Sequence, residues 1–238
     1  MTYIIEKEEL ELQLGKERKV KLRAINLIKR HQQQDGDYRV TFKGLKLRLK
    51  QGVFCAAFAD GSNLLADCLL QEVRPHETVL DMGTGSGALG ILAAQCGASV
   101  VAVDISSVAV ECARANARLN NLQNKVDVRQ SNLFASIRSD KKFSLILFNP
   151  PFMNGKPSSL LEVAMYDQGY ATLTQFFTEF PNYLDDKGRV LIVFSESGDV
   201  AYLKKLMTDS GFDWSLVDSN IPEDNQLAVL VYELKRGF

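Results

Sequence analysis

The sequence predicts an α/β protein: a doubly wound, Rossmann-like sheet of seven strands, mostly parallel with an antiparallel final strand, behind a small N-terminal α/β extension. Three observations carry this expectation. From about residue 51, short apolar runs alternate with helical patterns, as in strand–helix–strand units. Glycines at 83, 85 and 87 punctuate the end of the first of those strands. The last two apolar runs are joined only by residues 221–226, too short for a parallel crossover, which makes the final strand antiparallel.

Taken in order, residues 6–32 read as a helix, with Leu10, Leu12, Leu14, Val20, Leu22, Ile25, Leu27 and Ile28 set among charged neighbours. Residues 38–50 alternate, placing Tyr38, Val40, Phe42, Leu45, Leu47 and Leu49 on one side for much of the run. That pattern predicts a strand or hairpin turning near Gly44. Residues 1–50 are too short for a secure core of their own and read as an accessory layer on a domain spanning 51–238. In that domain the expected helices are 63–71, 88–95, 107–119, 170–184 and 199–210. The expected strands are 78–82, 99–103, 126–129, 143–148, 190–194, 214–218 and 227–234, with a turn at 186–188 before the fifth. No internal repeat or low-complexity segment interrupts the series.

Composition narrows the class. Hydrophobic residues make up 46% and charged residues 24% of the 238, which fits a globular chain and excludes disordered, collagen-like and coiled-coil designs. Apolar stretches break off well before ~18 residues, so no membrane span is expected, and the acidic N-terminus does not resemble a signal peptide. Cys55, Cys68, Cys96 and Cys112 are widely spaced, and only His31 and His76 are available to join them. That pattern implies neither a metal site nor a disulfide framework and points to a reducing, cytoplasmic setting.

Charge is unevenly spread. Residues 16–50 hold twelve Lys and Arg against Glu17, Asp35 and Asp37, a net of +9 in a chain whose total is −1. Two readings stand: an arm that contacts an anionic partner such as nucleic acid, or a solvated helix face followed by a strand edge blunted by cations.

The chemistry begins at Asp81-Met82-Gly83-Thr84-Gly85-Ser86-Gly87, which ends an apolar strand and opens a helix. Glycines there let backbone N–H groups approach a ligand. Asp104 ends the next strand, where a carboxylate can take both hydroxyls of a ribose. A cofactor containing a nucleoside is therefore expected across these two strand tips. Read literally, Gly83-x-Gly85-x-x-Ala88 also satisfies a dinucleotide fingerprint, and a tight structural turn is the plainest reading of all. Asp81, directly before the turn, would repel a pyrophosphate but attract an ammonium group, as S-adenosylmethionine provides.

On these residues the sequence resembles the class I S-adenosylmethionine-dependent methyltransferases over roughly 51–238. The resemblance implies Asp81 near the methionine amino group, Gly83, Thr84, Gly85 and Gly87 in the cofactor turn, Asp104 on the ribose and Ile105 beside the adenine. Asn132, in Ser131-Asn132-Leu133-Phe134, stands where the family commonly has Asp, and its amide oxygen can still accept from the adenine amino group.

The strand 143–148 runs into Asn149-Pro150-Pro151-Phe152. The prolines fix φ and remove two donors, leaving carbonyls as rigid acceptors. Asn149 adds a side-chain carbonyl and Phe152 a flat apolar face, a set suited to a planar nitrogen group. A rigid turn after a buried strand is the alternative. The tetrapeptide resembles that of amino-methyltransferases acting on glutamine amides and on adenine or guanine amino groups, including the HemK-like release-factor enzymes. Residues 52–67 and Asp167-Gln168-Gly169-Tyr170 loosely resemble further HemK-like segments.

This resemblance implies an enzyme that methylates nitrogen in a macromolecular acceptor, a protein glutamine or a nucleobase, with no metal. A small-molecule amine acceptor and a catalytically silent cofactor-binding module remain open. Phe54, Phe58, Met153, Asn154 and Tyr166 are candidates for the acceptor entrance, or simply packing residues. His76, Trp214 and the cysteines receive no role.

Overall fold

The computed structural model describes residues 2–34, 36–221 and 227–237, with side chains of the first helix from Gly15 onward. Asp35, the loop 222–226 and the side chains of Leu10, Leu12 and Leu14 lie outside the described residues. Helix α1 (Thr2–Gln32) leads into the hairpin β1 (Tyr38–Phe42) and β2 (Leu45–Leu49), which turns at Lys43-Gly44. Then come α2 (Asp60–Glu72), β3 (Thr78–Met82), α3 (Ala88–Gln95), β4 (Ser99–Asp104), α4 (Ser107–Leu119), β5 (Val126–Gln130) and β6 (Phe143–Phe148). After a short α5 (Leu160–Val163) follow α6 (Ala171–Glu179), β7 (Leu184–Ser195), α7 (Val200–Asp209), β8 (Asp213–Asn220) and β9 (Val229–Lys235).

The main sheet has the order β5-β4-β3-β6-β7-β9-β8. Strands β3 to β7 pair in parallel, and β9 lies antiparallel between β7 and β8, as the short last connection requires. Strand order reverses beside β3, because β4 and β5 extend the sheet one way and β6 the other. A crevice is expected outside the carboxyl ends of β3 and β6 at such a reversal.

Side chains alternate across the sheet with period two. Val79, Val100, Ala102, Leu145, Leu147, Leu191 and Val193 face α2, α3, α4 and the hairpin. Leu80, Met82, Val103, Ile146, Phe148, Val190 and Ile192 face α6 and α7, with Phe176, Phe180 and Met207. Phe42, Leu45, Leu47 and Leu49 of the hairpin are buried in the first of these layers. Asn116 of α4 and Asn120, the residue that caps it, grip the backbone of β2. Asn120 accepts from Lys46 N and donates to its carbonyl, and Asn116 accepts from Arg48 N at 2.8 Å. Net hydrogen bonds of this kind contribute about 1 kcal/mol each.

Helix α1 starts at Thr2 rather than residue 6, and several ends shift by one or two residues; three further differences concern the segments around the site and β7. Helix α2 starts at Asp60 rather than residue 63, with Gly61 of its first turn in ordinary packing distance of Val193 and Val229. The helix expected over 170–184 is only 171–179. It is entered through left-handed Gly169 and Tyr170 and left through a 3-10 turn containing Pro181, and Leu184 already belongs to β7. The turn expected at 186–188 is an irregularity inside β7. Phe143 pairs with Leu184 and Leu145 with Arg189, so residues 185–188 bulge opposite Ser144. A Cβ at Gly188 would lie 2.8 Å from the Phe143 carbonyl oxygen, so this approach needs glycine.

Helix α1 is not a free arm. Arg23 donates to the Leu227 carbonyl and pairs with Asp60 at 2.9 Å, and Ala24 packs with Met153, Leu161 and Met165. His31 sits between Phe54 and Phe58; Cys55 N–H donates to its Nε2, and its Nδ1 is 2.8 Å from the Leu27 carbonyl. Burial holds this imidazole below its usual pKa, the Leu27 bond opposing and the Arg30 charge assisting. Part of the basic surplus is also matched from outside the segment: Lys43 pairs with Asp67 and Lys50 with Glu111, as Arg23 does with Asp60.

Candidate active site

Parallel pairing places Met82 beside Phe148, so the glycine turn and the Asn-Pro-Pro-Phe segment leave adjacent strands at one end of the sheet. Between them opens a cavity of about 890 Å³. It is lined by Asp81, Gly83, Thr84, Gly85, Asp104, Ile105, Asn132, Asn149, Pro150, Pro151 and Phe152. Ten of the eleven reach it from the loops at the carboxyl ends of β3, β4, β5 and β6 or from the last residues of those strands; Asp81 stands one residue earlier. Gly87 is absent from the lining. Its φ is +85° at the start of α3, and a Cβ there would lie 3.0 Å from both Ala113 and Ile91. In this structure it lets α3 pack on α4.

Asp81 is buried at 2% exposure. Thr84 Oγ1 donates to its Oδ2 at 2.5 Å and Gly90 N–H to the same oxygen at 2.9 Å, leaving Oδ1 for a ligand in the cavity. Burial raises its pKa to about 6, against the pull of those two donors and with help from Asp104. Such a carboxylate gains from a cationic partner. The Asp104 oxygens are each held by one backbone donor, Gly85 N–H at 2.8 Å and Ser106 N–H at 2.9 Å. Each retains a lone pair for a ribose hydroxyl. Burial also raises the Asp104 pKa, opposed by these backbone bonds. Next to it Ile105 is 55% exposed, an apolar face available to a flat ring.

At the other wall Asn149 Nδ2 donates to Ser62 Oγ at 3.0 Å, which orients its amide and leaves Oδ1 as an acceptor. The Phe152 carbonyl accepts from Tyr170 OH at 3.3 Å, and that hydroxyl accepts from Asp199 N–H at 2.8 Å. A Cβ on Gly198 would lie only 2.1 Å from the Phe152 oxygen, so the tetrapeptide rests directly on backbone. Phe54, Phe58, Met153 and Tyr166 line the cavity. Asn154 does not; its Oδ1 accepts from Gly169 N–H.

Several contributors escape a reading of motifs. Leu22, Arg23 and Leu27 reach the cavity from α1 and give it a roof. Ser62 orients Asn149 from 87 residues away. Asn116, fully buried, donates to the Ser86 carbonyl and so ties the glycine turn to the hairpin. Gly90 is required by space, since a Cβ there would lie 2.9 Å from Asp81 Oδ2. Gly90→Ala is expected to lower stability by about 1–3 kcal/mol through overpacking. It should also weaken cofactor binding, as urea unfolding and calorimetric titration with S-adenosylhomocysteine will read.

The donor set fits S-adenosylmethionine. Asp81 has a carboxylate that could pair with an ammonium, Asp104 one that could accept from a diol, and Ile105 an apolar face that could meet an aromatic ring, while the open space above Gly83 and Gly85 would admit backbone contact. The cavity volume is within the usual range for cofactor sites.

Comparison with known proteins agrees. The family model for the methyltransferase small domain matches residues 44–210. A Methanocaldococcus jannaschii protein provisionally named a protein N5-glutamine methyltransferase is 35% identical over 175 residues, covering 70% of this chain and 85% of that one. The release factor glutamine methyltransferase of Fusobacterium nucleatum is 32% identical over 200 residues, covering 79% of this chain but 52% of its own length. The chain thus spans about half of that longer relative. Among solved structures, the T. thermophilus 16S rRNA N2 G1207 methyltransferase, in complex with AdoMet and guanosine, shares the fold. Its TM-score is 0.61 at 23% identity, over 84% of this chain and 50% of that one. With a model match over most of its length and a cavity built for the sulfonium cofactor, the chain belongs to the methyltransferase small domain family and is an S-adenosylmethionine-dependent methyltransferase.

Proposed function

We propose that the protein methylates a planar amide or amino nitrogen of a macromolecule, a protein glutamine or a nucleobase, held against Asn149-Pro150-Pro151-Phe152. One observation carries this reading: Asn149, its amide held by Ser62, lines the same cavity as Asp81, Gly83, Thr84 and Asp104. The bound cofactor supplies a methyl group on a positively charged sulfur. The protein supplies alignment: Asn149 Oδ1 and the Pro150 carbonyl accept the acceptor's N–H hydrogens, Pro151 holds the segment rigid and Phe152 covers the plane. Alignment of this kind is worth several kcal/mol of barrier. In the same reading Asp81, Gly83, Thr84 and Gly85 hold the methionine end, and Asp104, Ile105 and Asn132 the adenosine.

Residues 1–50 form an extension on a catalytic domain spanning 51–238, and its helix closes the acceptor side of the cleft. Four unpaired cysteines, three of them buried, favour a reducing cytoplasm. Among the described residues no helix is long and apolar enough to cross a membrane. Transfer of labelled methyl to a cell extract tests the whole reading. Label lost to protease or to RNase identifies the acceptor class; label that passes only into small molecules overturns a macromolecular acceptor.

A further inference from the structure

A second cavity, of about 760 Å³, lies at the opposite end of the sheet and wraps the edge strand β5. Thr78, Ser99 and Lys125, at the starts of β3, β4 and β5, border it. Along β4 it is about 17 Å from the cofactor end. Six cations line it from three separate segments: Arg114 and Arg118 of α4, Lys125 just before β5 with Arg129 in it, and Arg138 and Lys141 of the following turn. Asp127 is the one acid in the lining, and it pairs with Arg129. Arg138 pairs with Asp140, both largely exposed. Among the described residues Arg118, Lys125 and Lys141 have no acidic partner.

The geometry points to a docking groove for the phosphodiester backbone of a nucleic acid, separate from the cleft where methyl transfer takes place. Cations converging from three elements in a protein of net charge −1 are a local device, not a bulk property. An acidic peptide adding itself to the sheet edge is disfavoured, because Arg114 Nε and Nη2 already occupy the Val128 carbonyl at 3.1 and 2.7 Å. Apart from half-buried Val101, the groove's apolar residues are buried, which leaves no deep pocket for peptide side chains. Evenly repeated phosphates need only the cations. Such docking leaves the cofactor cleft open, whichever nitrogen accepts the methyl.

Anisotropy of a labelled mixed-sequence RNA 20-mer, read across a salt series, tests the groove. The triple variant R118E/K125E/K141E should lose more than tenfold in affinity at low salt. Its slope of log K against log salt should flatten by about two to three, while its affinity for S-adenosylhomocysteine is unchanged. Independently, RNA should protect Lys125 and Lys141 of the unaltered protein from acetylation, a readout that needs no variant to fold. An unchanged salt slope in a variant that still binds S-adenosylhomocysteine, or no protection of these lysines, overturns the proposal. Equal protection by polyglutamate overturns it too, in favour of an acidic protein partner.

Discussion

Asn149→Ala should lower the rate of methyl transfer by about a hundredfold or more while leaving S-adenosylhomocysteine affinity within a few fold. The side chain follows the end of β6 and lines the cavity, its Nδ2 donating to Ser62 Oγ. Removing that oxygen deprives the acceptor nitrogen of one of two fixed acceptors, and an acceptor rotated out of line loses the geometry that displacement at a methyl requires. Asn149→Asp places a carboxylate beside Ser62, which can then donate to it. The fold should hold, but selectivity for a neutral planar amide should fall. Single-turnover transfer to a labelled acceptor, set beside calorimetric titration, separates the two effects. Activity retained within a few fold in Asn149→Ala would mean that the tetrapeptide is only a turn.

The second large effect belongs to Asp81. Its pKa in the folded protein, about 6, lies above its ordinary value because burial penalises the charged form. This group therefore favours the fold at pH below about 4, and that contribution is lost as pH rises through about 6. A shift of about two units corresponds to about 3 kcal/mol. Without cofactor, the Asp81→Asn protein should show less loss of stability than the parent between pH 4 and pH 7, as denaturant unfolding will read. The ammonium of the cofactor reverses the sign. Affinity for S-adenosylhomocysteine should rise as pH passes through about 6 and then level off. Asp81→Asn should flatten that profile and weaken binding about tenfold or more above it, the loss expected for a charge-assisted bond. A parent protein whose affinity does not change across this range would remove Asp81 from the ammonium site.

Strand and helix placement was legible wherever a single local rule governed. The run 78–82 is apolar, ends in Asp81-x-Gly83 and is followed by a helix from Ala88, and each boundary is where the pattern puts it. Expectation failed where contacts distant in sequence override local preference. Residues 185–188 carry the Asp-Asp-Lys-Gly composition of a turn, yet pairing on both sides of them keeps β7 continuous through a bulge. Helix α2 begins three residues early, its first turn packed against Val193 and Val229 of distant strands. The charge surplus of residues 16–50 is visible in the sequence, but its partial neutralisation by Asp60, Asp67 and Glu111 is not, since those acids are up to 61 residues away.

The sequence by itself determined the motif residues, because glycines, prolines and strand-end acids act through backbone geometry that is local to a few positions. It also determined the antiparallel last strand, which follows from loop length alone. Only the tertiary structure decided which residues share a surface. It set Gly87 against Ala113 at the α3–α4 contact, brought Ser62 to Asn149, laid α1 over the cleft, and gathered the cations of α4, β5 and residues 137–141 into one groove. Side-chain direction and distance are set by packing between elements, and no period along the chain encodes them.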